Sequence, residues 1–364
     1  MNLYIKYNAY AKKKKKGGVM MDELLKKILN APGIPGYESE IAGILKGEFS
    51  KTCEDVEIDN FGNVIARKGK GKKRIMLAAH MDEIGLLVKH ITKDGYINFI
   101  KVGGIDDRIL PGQRVVIKAK AKDVLGVIGS KPPHLQREEE RKQPIKYEDM
   151  FIDIGCKTKE AAEKRISVAD PIIFEPNAGT LNGNLCYGKA IDDRIGCYAL
   201  VKVMEKVKAN AEIYAVATVQ EEVGLKGART SAFKINPDFA IAIDTTIAGD
   251  TPEMKERESS LKLGDGVAIT IMEASGRGVI VNEKIKDIFI KTAKENKIKY
   301  QIDVLEGGVT DGAMIYMNRE GVPTGVLSIP TRYIHSPTGV FSIDDVNQAI
   351  KLATKVVESV SLRY

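Results

Sequence analysis

Two periodicities of apolar residues divide the chain into predicted helices and strands. Apolar side chains at helical spacing predict helices over residues 22–29, 43–49, 195–208 and 283–296. A last helix is predicted to follow Ser342, which is a suitable N-cap with Asp345 three residues further on. Alternating or unbroken apolar runs predict strands over residues 75–79, 212–219, 238–244 and 300–305.

The pattern changes in the middle of the chain. From about residue 85 to 182, short β-rich segments alternate with Gly, Pro and Asp, which predicts a small barrel or sandwich. The fold class is therefore α/β, with a β-rich insert in the body. We expect a lysine-rich extension over residues 1–20, two parts of the body over 21–85 and 183–364, and the insert over 86–182.

Composition narrows the class of protein. The net charge of the 364 residues is +7, but six lysines lie in the first 20 residues and the remainder carries only +1. A near-neutral body argues against a nucleic-acid partner, and we expect the Lys12–Lys16 run to be a solvated tail, with polyanion binding as the alternative. The sequence shows neither a signal peptide nor a membrane span, and its four cysteines form no Cys-x-x-Cys pair. We therefore expect a cytoplasmic protein with no membrane partner.

Side chains that bind metals follow several of the apolar runs. His80 and Asp82 follow one strand, and Glu221 and Glu222 follow another. The other segments of this kind carry Asp192 and Asp193, Asp244, and His335. The carboxyl ends of strands in an open α/β sheet meet at one edge, so these side chains are expected to converge.

Each of these residues also has a structural interpretation. His80 could be a buried, hydrogen-bonded histidine, the Asp192–Asp193 pair could cap a helix, and Glu221 with Glu222 could form a solvated turn. Five such segments at the ends of apolar runs favour a shared metal site. Two histidines with several carboxylates suit two divalent cations, of which Zn, Co or Mn fits mixed N/O ligands best. One glutamate of the adjacent pair would bind metal, while the other would accept the proton of a water molecule.

At these residues the chain resembles the tetrahedral aminopeptidases, a family of peptidases with two co-catalytic metal ions. The similarity extends from about Asp22 to the end and follows the family's order of motifs: "AAHMDEIGLLV", "GVIGSKPPHL", "GKAIDDRIG", "VQEEVGLKGA", "AIDTT" and "RYIHSPTG". The resemblance implies that Asp192 bridges two metal ions. We expect these ions to be Zn or Co. It implies that His80 and Asp244 complete the shell of one ion, and Glu222 and His335 that of the other.

The resemblance also implies roles for residues that bind no metal. Glu221 would be the general base and acid, and Asp82 would orient His80. The peptide bond between Asp192 and Asp193 would be cis. The family's Gly-Gly-Thr-Asp-Ala segment is altered here to "EGGVTDGAM", in which Thr310 and Asp311 are expected to help hold the substrate's amino group.

A fold and an assembly follow from the same resemblance. It implies a zinc-peptidase-like mixed sheet flanked by helices, with the insert as a small barrel-like dimerisation domain. Dimers would assemble into a tetrahedral dodecamer that admits peptides and unfolded chains.

Three other functions remain open from the residues. A related metal-dependent deacylase or carboxypeptidase would use the same ligands, although such relatives place their extra domain after the glutamate pair. An endoglucanase-like hydrolase could use paired carboxylates, but would need neither two histidines nor a bridging aspartate. A non-catalytic, polyanion-binding scaffold is suggested only by the lysine tail and the insert.

Overall fold

The structure, a computed structural model, describes residues 21–363. The lysine-rich extension therefore lies outside the described residues. The strands are β1 (Asp55–Ile58), β2 (Val64–Lys68), β3 (Arg74–His80), β4 (Gly85–Ile91), β5 (Ile97–Val102), β6 (Arg114–Ile117), β7 (Val124–Gly129), β8 (Phe151–Asp153), β9 (Pro171–Phe174), β10 (Gly179–Thr180), β11 (Leu185–Gly188), β12 (Glu212–Thr218), β13 (Phe239–Ile247), β14 (Val267–Met272), β15 (Tyr300–Val304), β16 (Thr324–Arg332) and β17 (Gly339–Ser342). The α-helices span Glu23–Asn30, Ser39–Phe49, Glu138–Arg141, Lys159–Glu163, Ile191–Lys206, Lys226–Ile235, Glu283–Glu295, Gly312–Tyr316 and Ile343–Arg363.

One mixed sheet of eleven strands forms the body. Its main path runs β1-β2-β12-β3-β13-β16-β17-β11-β10, and β14 joins β15 to β16. The four central strands, β12, β3, β13 and β16, are parallel to one another. Their carboxyl ends therefore lie at the same edge of the sheet, where open α/β sheets form their sites.

The insert is a closed barrel of six strands in the order β4-β5-β8-β7-β6-β9. Its apolar side chains, such as Ile97, Val115 and Ile152, form a core of their own. The predicted fold class, a mixed sheet flanked by helices with an inserted small barrel, is confirmed.

The helix Ile191–Lys206 lies at the centre of the body and buries most of its side chains against β3, β13 and the C-terminal helix. Sequence periodicity predicts its start at residue 195, four residues too late. The polar residues Asp192 and Asp193 lie in this first turn and interrupt the apolar spacing. Their backbone angles are also non-helical, with ψ of 110° and 44°.

The C-terminal helix begins at Ile343, directly after Ser342, as predicted. Asp345, however, does not serve the start of that helix. Its buried carboxylate accepts hydrogen bonds from the amides of Gly264 (2.7 Å) and Gly266 (2.8 Å), so it holds a distant turn. None of the helices between residues 21 and 363 combines the length and apolar character needed to cross a lipid bilayer.

Candidate metal centre

The predicted side chains converge at the carboxyl edge of the parallel strands. His80 ends β3, Asp244 lies near the end of β13, and the Glu221–Glu222 pair follows β12. Asp192 comes from the first turn of the central helix, and His335 from the turn between β16 and β17. Because these strands are neighbours, residues more than 100 positions apart in the chain come into contact.

Asp192 lies between the two imidazoles. Its Oδ1 is 3.0 Å from Nε2 of His80, and its Oδ2 is 3.3 Å from Nε2 of His335. Each imidazole thus faces a different oxygen of one carboxylate, which is the arrangement that a bridging ligand requires. The peptide bond between Asp192 and Asp193 is cis, as the resemblance implies.

The remaining predicted ligands complete this cluster. Oδ1 of Asp244 lies 3.9 Å from Nε2 of His80, and Oε2 of Glu222 lies 3.7 Å from Nε2 of His335. Among the described residues, two groups of three side chains could each hold a cation, because the ligand atoms within each group lie no more than 4.8 Å apart. These groups are His80, Asp192 and Glu222, and His80, Asp193 and Asp244. Asp193 belongs to one of the candidate segments in the sequence, but the resemblance assigns it no role as a ligand.

The barrel also contributes to the centre. The carbonyl oxygen of Gly104, in the loop after β5, is 2.9 Å from Nδ1 of His335. A side chain on Gly103 or Gly104 would press against Glu222 or His335, respectively. The insert therefore helps to fix the orientation of the second imidazole.

Asp82 contacts His80 differently from the expectation. Nδ1 of His80 lies 3.2 Å from the main-chain carbonyl oxygen of Asp82 and 3.7 Å from its carboxylate. The carboxylate instead accepts hydrogen bonds from the amides of Glu221 (3.0 Å) and Glu222 (3.1 Å). Asp82 thus positions both the imidazole and the glutamate pair.

Burial and mutual repulsion raise the pKa values of Glu221, Glu222 and Asp244. Burial is the largest cause for Glu221 and Asp244, and the charges of neighbouring carboxylates add to it. The pKa of Glu222 rises to about 7 for the same reasons, with Asp192 as the main neighbour. The ionised forms of these carboxylates are therefore unfavourable unless a cation lies close to them.

The pKa values of the two imidazoles are also raised, but for a different reason. Burial opposes protonation of His80, but Glu221 and Asp192 outweigh it and raise its pKa well above the usual value. The hydrogen bond to Asp192 raises the pKa of His335 to about 9, against a smaller effect of burial. Although burial opposes ionisation of Asp192, both imidazoles hold its pKa well below the usual value.

The donor set fits divalent cations. Two imidazoles and several buried carboxylates carry more negative charge than the protein compensates, and mixed N/O ligands suit Zn, Co or Mn. Within residues 21–363, Oδ2 of Asp193, Oγ1 of Thr245 and Oδ1 of Asp311 are buried and have no hydrogen-bond partner. Buried polar atoms of this kind are normally satisfied, so the cluster has the chemistry of a metal site.

Asp311 adds a further buried carboxylate. Its Oδ2 accepts a hydrogen bond from the hydroxyl of Thr218, at the end of β12, and burial raises its pKa to about 6. The neighbouring Thr310 donates to Glu273 at 2.6 Å, and Glu273 also accepts from the amide of Val279 at 3.0 Å. Glu273 is completely buried and was not predicted, because it follows β14, a strand that the apolar pattern did not reveal.

A buried ion pair between Lys189 and Glu83 lies next to the centre in the chain and helps to hold it. Nζ of Lys189 lies 2.8 Å from both carboxylate oxygens of Glu83 and donates to the carbonyl of Ala31. Arg194 donates to the carbonyls of Met81 and Ala31 at 2.6 and 3.0 Å. These contacts tie the end of β3 to the first turn of the central helix, and so fix His80 relative to Asp192.

Comparison with known proteins identifies the relatives of this chain. Residues 62–352 match the family model of the M42 glutamyl aminopeptidases. A putative aminopeptidase of Acetivibrio thermocellus is 40% identical over 339 residues, which cover 93% of this chain and 98% of that protein.

Two solved structures that are similar to this chain are also those of peptidases. Aminopeptidase APDkam598 of the archaeon Desulfurococcus kamchatkensis superposes with a TM-score of 0.89 at 40% identity, covering 92% of this chain and 94% of that one. The Pyrococcus horikoshii TET1 peptidase, which can assemble into a tetrahedron or a large octahedral shell, superposes with a TM-score of 0.83 at 36% identity. That match covers 92% of this chain and 98% of the other.

The fold and these matches define the class of protein as an aminopeptidase. More specifically, the chain belongs to the M42 glutamyl aminopeptidase family. The resemblance to the tetrahedral aminopeptidases is thereby confirmed.

Proposed function

We propose that this aminopeptidase is metal-dependent, removes amino-terminal residues from short peptides, and uses two divalent cations with Glu221 as its general base. The observation that carries the proposal is the position of Asp192, whose two carboxylate oxygens face two different imidazoles. A carboxylate shared in this way suits two neighbouring cations better than one.

Five residues would hold the cations. Asp192 would bridge them, His80 and Asp244 would complete one shell, and Glu222 and His335 the other. Zn and Co are the cations that we favour for this donor set. When bound, such a pair polarises a peptide carbonyl and acidifies a water molecule.

Glu221 holds neither cation in this arrangement, and we assign it proton transfer. Its Oε2 lies 3.9 Å from Nε2 of His80, inside the cluster, and its main chain is held by Asp82. Burial raises the pKa of Glu221, which brings a carboxylate nearer to the pKa that a general base needs at neutral pH. Glu221 would accept the proton of the attacking water and pass it to the leaving amine.

The free amino group of the substrate requires a negative partner. Oδ1 of Asp311 is buried without a hydrogen-bond partner among the described residues, and it belongs to a carboxylate close to Glu221. We propose that Thr310 and Asp311 help to hold this ammonium group. That contact would distinguish peptides with a free amino terminus from blocked ones.

We also propose that the protein self-associates in the cytoplasm. The TET1 peptidase of Pyrococcus horikoshii, which can assemble into a tetrahedron or a large octahedral shell, supports a tetrahedral assembly. In this proposal, the barrel would join two subunits into a dimer, and dimers would form a dodecamer. Enclosure of the sites in such a shell would restrict the substrates to peptides and unfolded chains.

A paired hydrolysis assay tests the function. Metal-stripped protein, with and without added Zn²⁺ or Co²⁺, is given a short peptide with a free amino terminus and the same peptide acetylated. We expect cation-dependent loss of the first residue from the free peptide only. Cleavage of the acetylated peptide would favour a deacylase or another hydrolase, and cellulose hydrolysis by metal-free protein would favour an endoglucanase.

A further inference from the structure

The segment that follows the first helix contacts three of the elements that carry the candidate centre. The carbonyl of Ala31 accepts hydrogen bonds from Lys189 and Arg194, which flank Asp192 in the chain. The carbonyl of Gly33 accepts one from the amide of Glu83, just beyond Asp82. The third contact is made by the side chain of Glu38, and it reaches the loop that carries Glu221.

Glu38 is a buried carboxylate with a specific set of partners. Only 6% of the residue is exposed, and its Oε1 accepts hydrogen bonds from the amides of Gly36 (2.9 Å) and Gln220 (3.2 Å). Burial is the largest cause of a raised pKa for this group. Burying a carboxylate is costly, so a residue that does so at this position needs a compensating role.

A helix cap would be the ordinary explanation, and the geometry argues against it. Glu38 occupies the N-cap position of the helix Ser39–Phe49, where side chains commonly accept from the first amides of their own helix. Within the described part of the chain, the Glu38 side chain makes no such capping bond. Its carboxylate is directed to Gln220 instead, 182 positions away.

Gln220 is the residue at which the chain leaves β12 and turns into the glutamate pair. Its φ of 56° lies in the left-handed region, which is unfavourable for a residue with a side chain. Three successive amides of this turn are held by two carboxylates: Glu38 binds the amide of Gln220, and Asp82 binds those of Glu221 and Glu222. The direction of the Glu221 side chain depends on this turn.

We propose that Glu38 is a positioning residue, which fixes the turn at Gln220 and thereby aims the carboxylate of Glu221 at the reacting water. The inference rests on the proposed function, because it takes Glu221 as the general base. Glu38 acts through the length and direction of its side chain, as a hydrogen-bond acceptor, and touches neither substrate nor cation.

Two substitutions of Glu38 distinguish the effect of its side-chain length from the effect of its charge. Glu38→Asp keeps the charge but shortens the side chain by about 1.5 Å, so the carboxylate no longer reaches the amide of Gln220. Glu38→Gln loses the charge but keeps an oxygen at the same distance. We expect Glu38→Asp to lower kcat by about 10- to 100-fold, since small displacements of a reacting group have effects of this size, and Glu38→Gln to retain most of the wild-type kcat.

The neighbouring residue supplies a matched control. Tyr37 donates its hydroxyl to the carbonyl of Ala169 at 2.9 Å, so Tyr37→Phe removes a hydrogen bond from the same segment without touching Gln220. We expect its kcat to be unchanged. KM and the number of bound cations should stay at wild-type values in all three variants, which a general loss of structure would not allow.

A double-mutant cycle connects Glu38 to Glu221. In a Glu221→Gln background, Glu38→Asp should cause no further loss of the residual rate, because the group that it positions is gone. Wild-type kcat in Glu38→Asp, an equal loss in Glu38→Gln, a loss that parallels lost cation, or an additive effect in the double variant would each overturn the inference. Full activity of the Glu221→Gln single variant would instead overturn the proposed function.

Discussion

Oδ1 of Asp82 accepts a hydrogen bond from the main-chain amide of Glu221 at 3.0 Å. Oδ2 of the same carboxylate holds the amide of Glu222 at 3.1 Å. We predict that Asp82→Leu lowers kcat about 100-fold, because the glutamate pair loses its anchor while the carbonyl of residue 82 still supports His80. Steady-state kinetics and metal analysis of the purified variant would measure this.

Asp345→Asn is the matched control, because Asp345 is also a buried carboxylate that holds two main-chain amides. It serves a turn far along the chain from the glutamate pair. We expect lower stability but a normal kcat. Equal kcat losses in the Asp82 and Asp345 variants would refute a specific role for Asp82.

Glu221→Gln separates proton transfer from cation binding. The amide is almost the same size but cannot accept the proton of water, so kcat should fall by about 10²- to 10⁴-fold. The number of bound cations should stay at two per subunit. Glu222→Gln, by contrast, should lower both quantities, and a Glu221→Gln variant that keeps normal turnover would exclude Glu221 as the base.

Cation stoichiometry tests the bridging role of Asp192. Asp192→Ala should abolish tight binding of both cations, whereas His335→Ala should leave one, as calorimetric titration of metal-stripped protein would show. His90 is exposed on the barrel, so His90→Ala is the control and should bind two. One cation retained in Asp192→Ala would argue against a bridge.

Two helical glycines are predicted to respond in opposite directions to alanine. The amide of Gly196 donates to Asp193 at 3.0 Å, and a Cβ at this position would overlap that carboxylate, so Gly196→Ala should lower the free energy of unfolding by about 1–3 kcal/mol. Gly43 is exposed, and a Cβ there meets nothing within 4 Å. Gly43→Ala should therefore raise the free energy of unfolding by about 0.5–1 kcal/mol. Denaturant unfolding of both variants would measure these free energies. Equal changes in the two variants would contradict the close packing at Gly196.

The buried Lys189 makes stability depend on pH. Burial lowers its pKa to about 8, against the opposing effect of Glu83, whereas the unfolded chain has the ordinary value of 10.5. Between these values the unfolded state binds more protons, so the contribution of Lys189 to the free energy of unfolding rises with pH, by at most about 1.4 kcal/mol per pH unit.

Comparison with Lys189→Met isolates this contribution. The difference in the free energy of unfolding between wild type and variant should grow in favour of the wild type from pH 8 to pH 10. Lys202→Met controls for the removal of a lysine from the same helix. A difference for Lys189→Met that stays constant from pH 8 to pH 10 would show that Lys189 keeps an ordinary pKa.

The strand pattern was sufficient to predict where most of the candidate centre lies. His80 ends β3, Asp244 lies near the end of β13 and the glutamate pair follows β12. The apolar runs of these strands are visible in the sequence, and parallel strands bring such ends together. The supporting residues could not be found in this way. Glu38 lies in a segment that has the composition of an ordinary Pro/Gly loop, and its partner is 182 positions away.

The role of Asp82 illustrates a second limit. Its spacing from His80 correctly predicts that the two residues are in contact, but spacing cannot distinguish a carboxylate from a main-chain carbonyl as the group that binds the imidazole. That choice depends on the amides of Glu221 and Glu222, which come from another strand and compete for the carboxylate.

The proposed ligands are distributed along most of the chain, from His80 to His335, with the whole barrel between the first and the second of them. A polypeptide that is released from the ribosome before residue 335, or cut between residues 80 and 335, would have the proposed ligands incomplete or divided between two fragments. Under the proposed function, we therefore expect a growing chain to remain inactive until His335 has been added.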